Sequence, residues 1–435
     1  MSAAAADALE APEAKSRRAR LRGHVFAATW ASYAGFYVTR KVFSVLKGPV
    51  MRALGTDDLG VSHLWTTYLI AYAAGMFATA ALATRVRART LLLAGMTLST
   101  LANVATAALL PLGDAAYFPL FVVFAAHGFA QSVGWPSNVA IVGRWTHRIE
   151  RGSVMGAWCT CYQLGSVFAK GLAAFAYTRT GLSGAFVVSS LLLGAVTLAF
   201  VRYGYDDPTD HGLAFDDAPP VSDASLAASP EARDDRRPLP VAVVVVSMGV
   251  LYFGFKFLRY ALDSWAPRLL EDRFGMPVAD AGYLSTIFDW VGFLGVLAAG
   301  FASDRLFAAR RMPLIAAMAT AMALACMGLV TVGLTSVATF AVLLGVVGFT
   351  AMGPDSLLSA AAAVDTGEAR TAARAVAIVN GLGSIGPIVQ EPIIGFLKVR
   401  FGAGAVFALL AAVATITAVG ATSFLAYTRR RGMRL

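Results

Sequence analysis

Stretches of about twenty mostly apolar residues recur twelve times along this chain, and no other feature constrains its fold as strongly. A helix needs roughly 20 such residues to cross the hydrocarbon core of a bilayer. The stretches lie at about 24–46, 62–84, 89–111, 117–141, 154–178, 184–204, 240–268, 280–303, 312–333, 336–362, 372–398 and 403–427, numbered here span 1 to span 12. Lipid offers no partners for backbone N–H and C=O groups, so runs of this length fold as helices. Composition agrees: 14% of the 435 residues are charged, against about 25% in soluble chains. The expectation is an all-α membrane protein of twelve transmembrane helices.

One stretch differs in kind. Residues 205–239 hold Asp206, Asp207, Asp210, Asp216, Asp217, Asp234 and Asp235 with Pro219 and Pro220, a composition that cannot bury a core and reads as a solvated, disordered linker. It divides the chain into an amino-terminal tail (1–23), a six-helix bundle (24–204), the linker (205–239), a second six-helix bundle (240–427) and a tail (428–435). The first 23 residues contain no apolar core of a cleavable signal. Of the 36 Lys and Arg residues, 24 fall in the tails and in the loops on their side of the map, and seven fall in the opposite loops: Lys47, Arg52, Arg179, Arg268, Arg273, Lys398 and Arg400. Because cytoplasmic loops collect Lys and Arg, both termini and the linker are expected in the cytoplasm of a cell-membrane protein.

The halves repeat each other. Span 1 reads Tyr33-Ala-Gly35-Phe36-Tyr37-Val-Thr-Arg40 and span 7 reads Tyr252-Phe-Gly254-Phe255-Lys256-Phe-Leu-Arg259, so Y-x-G-F-x-x-x-R occurs twice. Span 4 has Gly128-Phe129 before Gly134-Trp135-Pro136, and span 10 has Gly348-Phe349 before Gly353-Pro354. Two matches at equivalent places argue for pseudo-symmetric six-helix bundles with a site between them. Nine charged residues lie inside spans: Arg40, Lys41, Lys170, Lys256, Arg259, Asp263, Asp289, Asp355 and Glu391. A charge at the bilayer centre costs about 2.5–3.5 kcal/mol on insertion scales, so each should face protein or a water-filled cavity. Spans 3, 6, 9 and 12 carry none of them and are expected to be a lipid-facing scaffold. Some of the nine can simply pair to hold the bundle. Lys170 in particular should lie near an acid, with Glu391 and Asp263 the candidates.

Other functions find little support. A net charge of +10 is accounted for by membrane topology without nucleic acid. There is no phosphate-binding Gly-x-x-x-x-Gly-Lys-Ser/Thr loop and no His-Glu-x-x-His. Cys159, Cys161 and Cys326 have no metal or redox spacing, and His24, His63, His127 and His147 are scattered. No cofactor and no metal are expected.

On these residues the sequence resembles the organophosphate/phosphate antiporter branch of the major facilitator superfamily, which includes glycerol-3-phosphate and hexose-phosphate carriers. The specific pieces are Arg40-Lys41, Gly134-Trp135-Pro136, Glu150-Arg151-Gly152 leading to Trp158, Arg259-Tyr260 with Asp263-Ser-Trp265, and Gly353-Pro354. The resemblance covers about 24–425 apart from the linker. It implies the major facilitator fold and a monomer that moves a phosphorylated small molecule by alternating access in exchange for inorganic phosphate. It also implies that Arg40 and Arg259 bind the phosphate from opposite halves. A guanidinium fork suits phosphate oxygens. The candidate substrate contacts are Arg40, Arg259, Lys41, Lys256, Tyr37, Tyr162, Gln163 and Lys170, and the candidate gating residues are Asp289, Asp304, Arg305, Asp263 and Glu391. The alternative is a receptor that senses a sugar phosphate with the same pocket. The chain departs from the family at Thr84-Arg85, where an Asp-Arg pair is usual and survives in the second half as Asp304-Arg305. It also has Ala73-Ala74-Gly75-Met76 where some members hold a basic residue, and Trp158-Cys159-Thr160-Cys161-Tyr162-Gln163 where the family has Trp-Asn-x-x-His-Asn.

Overall fold

The computed structural model describes residues 12–147, 151–213, 241–305, 311–361 and 369–431. Eight stretches are long and apolar enough to cross a membrane, and two of these, Ala88–Arg144 and Val154–Tyr203, each double back and contain two spans. The first turns through a short 3-10 segment, Leu110–Ala116, with Gly113 at φ 66°. In the second the helix Thr160–Tyr203 reverses at Gly181, φ 71°. Only glycine adopts that angle without steric cost, which fixes where spans 5 and 6 part. The more polar helices Pro12–Val45 (span 1) and Ala369–Phe401 (span 11) complete the twelve.

Span 1 begins well before its apolar run. Its first turns are rich in Ala, Arg, Glu and Lys, strong helix formers that extend a polar helix beyond the bilayer. Within the first half, span 1 packs along spans 5 and 6 and span 2 along span 4; in the second, span 7 packs along span 11, span 8 along span 10 and span 9 along span 12. The halves meet where span 2 lies on span 11 and where span 8 lies on the helix of spans 5 and 6.

The repeat is visible atom by atom at the glycines. A Cβ on Gly128 would sit 2.1 Å from the Tyr68 carbonyl oxygen, and one on Gly348 would sit 2.4 Å from that of Phe288. Spans 4 and 10 thus press their backbones on spans 2 and 8 in the same way. Gly165 of span 5 lies against Ala34, and Gly386 of span 11 against Phe253, the matching second positions of the repeated motif. Gly35 faces Leu193 of span 6 and Gly254 faces Thr417 of span 12. Small residues let helices approach closely where lipid removes the hydrophobic drive for association. The chain is an all-α membrane protein of two pseudo-symmetric six-helix bundles.

Spans 3, 6, 9 and 12 do expose apolar side chains, among them Leu101, Leu191, Leu324 and Ile416. The apolar belt is wider than that, since Phe77, Val122, Phe175 and Leu297 on spans 2, 4, 5 and 8 are exposed too.

The start of the linker corrects the expectation of a free segment. Arg144 donates to Asp206 Oδ1 at 2.8 Å, Trp145 Nε1 donates to the Asp206 carbonyl at 3.3 Å, and Arg87 pairs with Asp210 at 2.9 Å. The N–H and hydroxyl of Thr209 both donate to Asp207, whose carboxyl they hold below its usual range. Residues 205–213 are therefore strapped across the ends of spans 3 and 4; residues 214–240 lie outside the described residues.

Candidate substrate site

Arg40 lies on the inner face of span 1 and is 8% exposed. Its Nε donates to Gln131 Oε1 at 2.9 Å, and Tyr68 donates to the same oxygen at 2.8 Å. Gln131 is itself fixed, its Nε2 donating to the Phe36 carbonyl and to Thr39 Oγ1 and lying 2.9 Å from His127 Nε2. The rings of Tyr37, Tyr72 and Tyr68 stand 4.9, 5.2 and 5.9 Å from the guanidinium carbon. The group is thus oriented by packing. It has no carboxylate partner among the described residues, and its buried Nη2 has no hydrogen-bond acceptor.

Arg259 occupies the equivalent place on span 7, but its surroundings differ. Its Nη1 pairs with Asp355 Oδ2 at 2.5 Å, and the rings of Tyr162 and Tyr260 lie 5.5 and 5.7 Å from the guanidinium carbon. Tyr37 and Tyr260 lie within electrostatic range of both arginines. The resemblance implies that both arginines bind phosphate from opposite halves. Asp355 neutralises one of them. Lys256 is held by Ser384 Oγ at 3.3 Å and by the Tyr252 ring at 4.6 Å, with no carboxylate partner among the described residues. Gln163 of span 5 is 4% exposed and reaches Met352 Sδ of span 10 at 3.9 Å, across the interface.

Beyond the arginines, toward the face opposite the termini, charges pair across the two halves. Lys41 bonds Asp263. Lys170 joins Asp263 Oδ1 at 2.9 Å and Asp289 Oδ2 at 2.6 Å. Lys170 therefore does sit beside Asp263, but Glu391, the other candidate, is out of the pair. It is bonded instead by Lys47, which also donates to Ser264 at 2.7 Å and lies 3.8 Å from the Trp265 ring centre. Lys41, a candidate substrate contact from sequence, is paired with Asp263.

Three residues assigned from sequence to the opposite loops are buried instead. Lys47 has no exposed surface, and Arg268 and Lys398 are 8% and 6% exposed. The latter two converge on Asp58 at the start of span 2, at 2.9 and 2.6 Å. Each of these basic residues comes at the end of an apolar run, so hydropathy placed it outside. The helices of spans 7 and 11 in fact run on past the apolar run, Lys47 opens a separate short helix, Lys47–Ala53, after span 1 ends at Val45, and Asp58 and Glu391 draw the three cations inward. Gly395 packs on the Ser62 side chain and the Asp58 carbonyl, and Gly282 on the Val45 side chain, so the helices of the two halves lie close together at this face. At the other face Arg305 is exposed and stacks on Phe301 at 4.8 Å; the side chain of Asp304 lies outside the described residues.

Sequence reasoning missed Gln131, Tyr68 and Tyr72 as supports of Arg40, and it counted Asp355 as a buried acid without a role. The signal for Asp355 was present, an acid directly after Gly353-Pro354 in an apolar run.

The family model described as Major Facilitator Superfamily matches residues 25–371. The chain is similar to a putative glycerol-3-phosphate transporter 2 of Arabidopsis thaliana, 29% identical over 90% of this chain and 84% of the relative. It is also similar to a glucose-6-phosphate exchanger SLC37A2 of Xenopus tropicalis (26%, 92% of each) and to sugar phosphate exchanger 3 of Bos taurus (25%, 87% of each). Among solved structures, an inward-facing, occupied bacterial homologue of the human lysosomal transporter Spinster superposes with a TM-score of 0.72 at 14% identity, covering 94% of this chain and 97% of that one. A D-xylose–proton symporter does so with 0.68 at 15%, covering 92% and 95%. The folds agree across most of the chain, the family model covers well over half of it, and the chain belongs to the Major Facilitator Superfamily, a family of membrane transporters and not of enzymes.

Proposed function

We propose that the protein is a secondary transporter that moves a phosphorylated small molecule, of the sugar-phosphate or glycerol-phosphate class, by alternating access in exchange for inorganic phosphate. The observation that carries this reading is the charge balance between the halves. Five cations, Arg40, Lys41, Lys170, Lys256 and Arg259, meet three carboxylates, Asp263, Asp289 and Asp355, which among the described residues leaves Arg40 and Lys256 without one. Two uncompensated positive charges in an apolar bundle are costly, and a phosphate dianion balances them. The relatives' names, which refer to glycerol-3-phosphate and sugar-phosphate transport, support the same substrate class. Exchange follows from the same charges: the empty site resists closure and the anion relieves it, so a bound anion is needed in both directions of rocking.

The protein works as a monomer in the cell membrane with both termini and the linker in the cytoplasm. On this orientation the paired charges from Asp263 out to Asp58 close the external side. The direct test is counterflow in proteoliposomes. Vesicles loaded with phosphate should take up labelled phosphate, and external glycerol 3-phosphate or glucose 6-phosphate should chase it out. Uptake that runs equally fast into vesicles lacking internal phosphate removes the case for exchange.

A further inference from the structure

The two repeated arginines are not equivalent, and the difference lies in one side chain. Arg40 is fixed by an amide and three tyrosine rings and keeps a donor without an acceptor. Arg259 is occupied by Asp355, whose second oxygen, Oδ1, is buried without a partner. Asp355 follows Pro354, which lacks an N–H and so leaves the Thr350 carbonyl without its usual helical donor; that carbonyl is where span 10 can bend. Two residues earlier in the chain than Pro354, Met352 touches Gln163 of the other half. The carboxylate therefore stands on a segment that joins the Arg259 guanidinium, a proline break and the contact between halves.

We propose that Asp355 is a tethered substitute for the substrate's phosphate: it occupies Arg259 in the empty carrier, is displaced when phosphate binds, and returns to expel it. This rests on the phosphate reading above. A phosphate bound at Arg40 gains Arg259 as its second partner only when Asp355 lets go. If Arg259 is released about a tenth of the time, apparent affinity falls about tenfold. The same competition speeds release, because the leaving anion is replaced without exposing a bare guanidinium. Asp355 is thus a specificity-determining residue. It sets how strongly a phosphate group must bind to be accepted, and it makes Arg40 the point of first capture.

The experiment compares full-length parent, Asp355→Asn and Asp355→Glu, each purified in phosphate buffer and then dialysed. Inorganic phosphate binding is measured by calorimetry, melting temperature with and without phosphate, and exchange in proteoliposomes. Asp355→Asn should bind phosphate about tenfold more tightly and show a lower exchange KM with a lower maximal rate. It should melt earlier than parent without phosphate and recover with it. Asp355→Glu keeps the anion and should stay close to parent. Binding by Asp355→Asn no tighter than parent, or a melting loss that phosphate does not repair, makes Asp355 a structural pair and overturns the proposal. Failure of Asp355→Asn to fold even in phosphate does the same. Absence of phosphate binding by the parent itself sinks the substrate reading, and this inference with it.

Discussion

Lys47 and Glu391, 344 residues apart in sequence, form an ion pair with no solvent exposure on either side chain, and the pair joins the two halves of the molecule. Ser264 and Gln390 Nε2 also bond the carboxylate, and Trp265 covers the ammonium. Such a pair is weak evidence for stability as a whole, because desolvation offsets much of the attraction, but breaking one side strands a buried charge. Glu391→Gln or Lys47→Met alone should destabilise the protein by about 3–5 kcal/mol. The double replacement Lys47→Met with Glu391→Leu should recover most of that loss. Thermal unfolding in detergent reads the difference, and a double variant no more stable than either single one counts against the argument.

The spans and the repeat were legible because each depends on a pattern that lipid enforces: apolar length, and small residues at fixed positions. Arg40 and Arg259 were legible for the same reason, since the repeat generates both. What sequence could not supply was which opposite charge each cation meets. Lys170 lies between Asp263 and Asp289 rather than beside Glu391 because span 8 packs on span 5 at that depth, and depth along a helix does not fix rotation about it. Lys47 was lost for a different reason. It sits past the apolar run, and only the tertiary approach of spans 7 and 11 makes its position interior.

The glycine contacts yield a paired prediction. Gly128→Ala and Gly348→Ala place a methyl group against a backbone carbonyl that cannot move aside, and overpacking of this kind costs about 1–3 kcal/mol. Gly194→Ala, with nothing within 4 Å of the added carbon, should be neutral or slightly stabilising, since alanine is the better helix former. Melting temperatures of the three variants decide the matter. Equal shifts at all three positions would mean that the close helix contacts carry no stability.

Topology can be checked at the linker. With 24 of the 36 basic residues on the side of the termini against four left in the opposite loops once the buried Lys47, Arg268 and Lys398 are set aside, residues 205–239 should face the cytoplasm. In a background with Cys159, Cys161 and Cys326 replaced, Ser222→Cys should escape a membrane-impermeant thiol reagent in intact cells and react in inverted vesicles. Strong labelling of intact cells would invert the map.

Arg40 is the residue on which the substrate reading depends most. Its guanidinium is held by Gln131 and three tyrosines with Nη2 unpartnered, so it offers an anion a donor that no carboxylate among the described residues has to give up. Lysine at the same place keeps the charge but loses both the fork and the Nε contact to Gln131. Hydrogen bonds to charged groups contribute about 1.5–3 kcal/mol, so Arg40→Lys should weaken phosphate binding by roughly 10- to 100-fold. Arg259→Lys should do less, because Asp355 already competes for that position. The arginine variants are to be purified, their folding confirmed by melting temperature and gel filtration, and phosphate binding and exchange then measured. A folded Arg40→Lys that binds and exchanges like the parent rules out Arg40 as the anion's anchor. A larger loss at Arg259 than at Arg40 would reverse the order of capture.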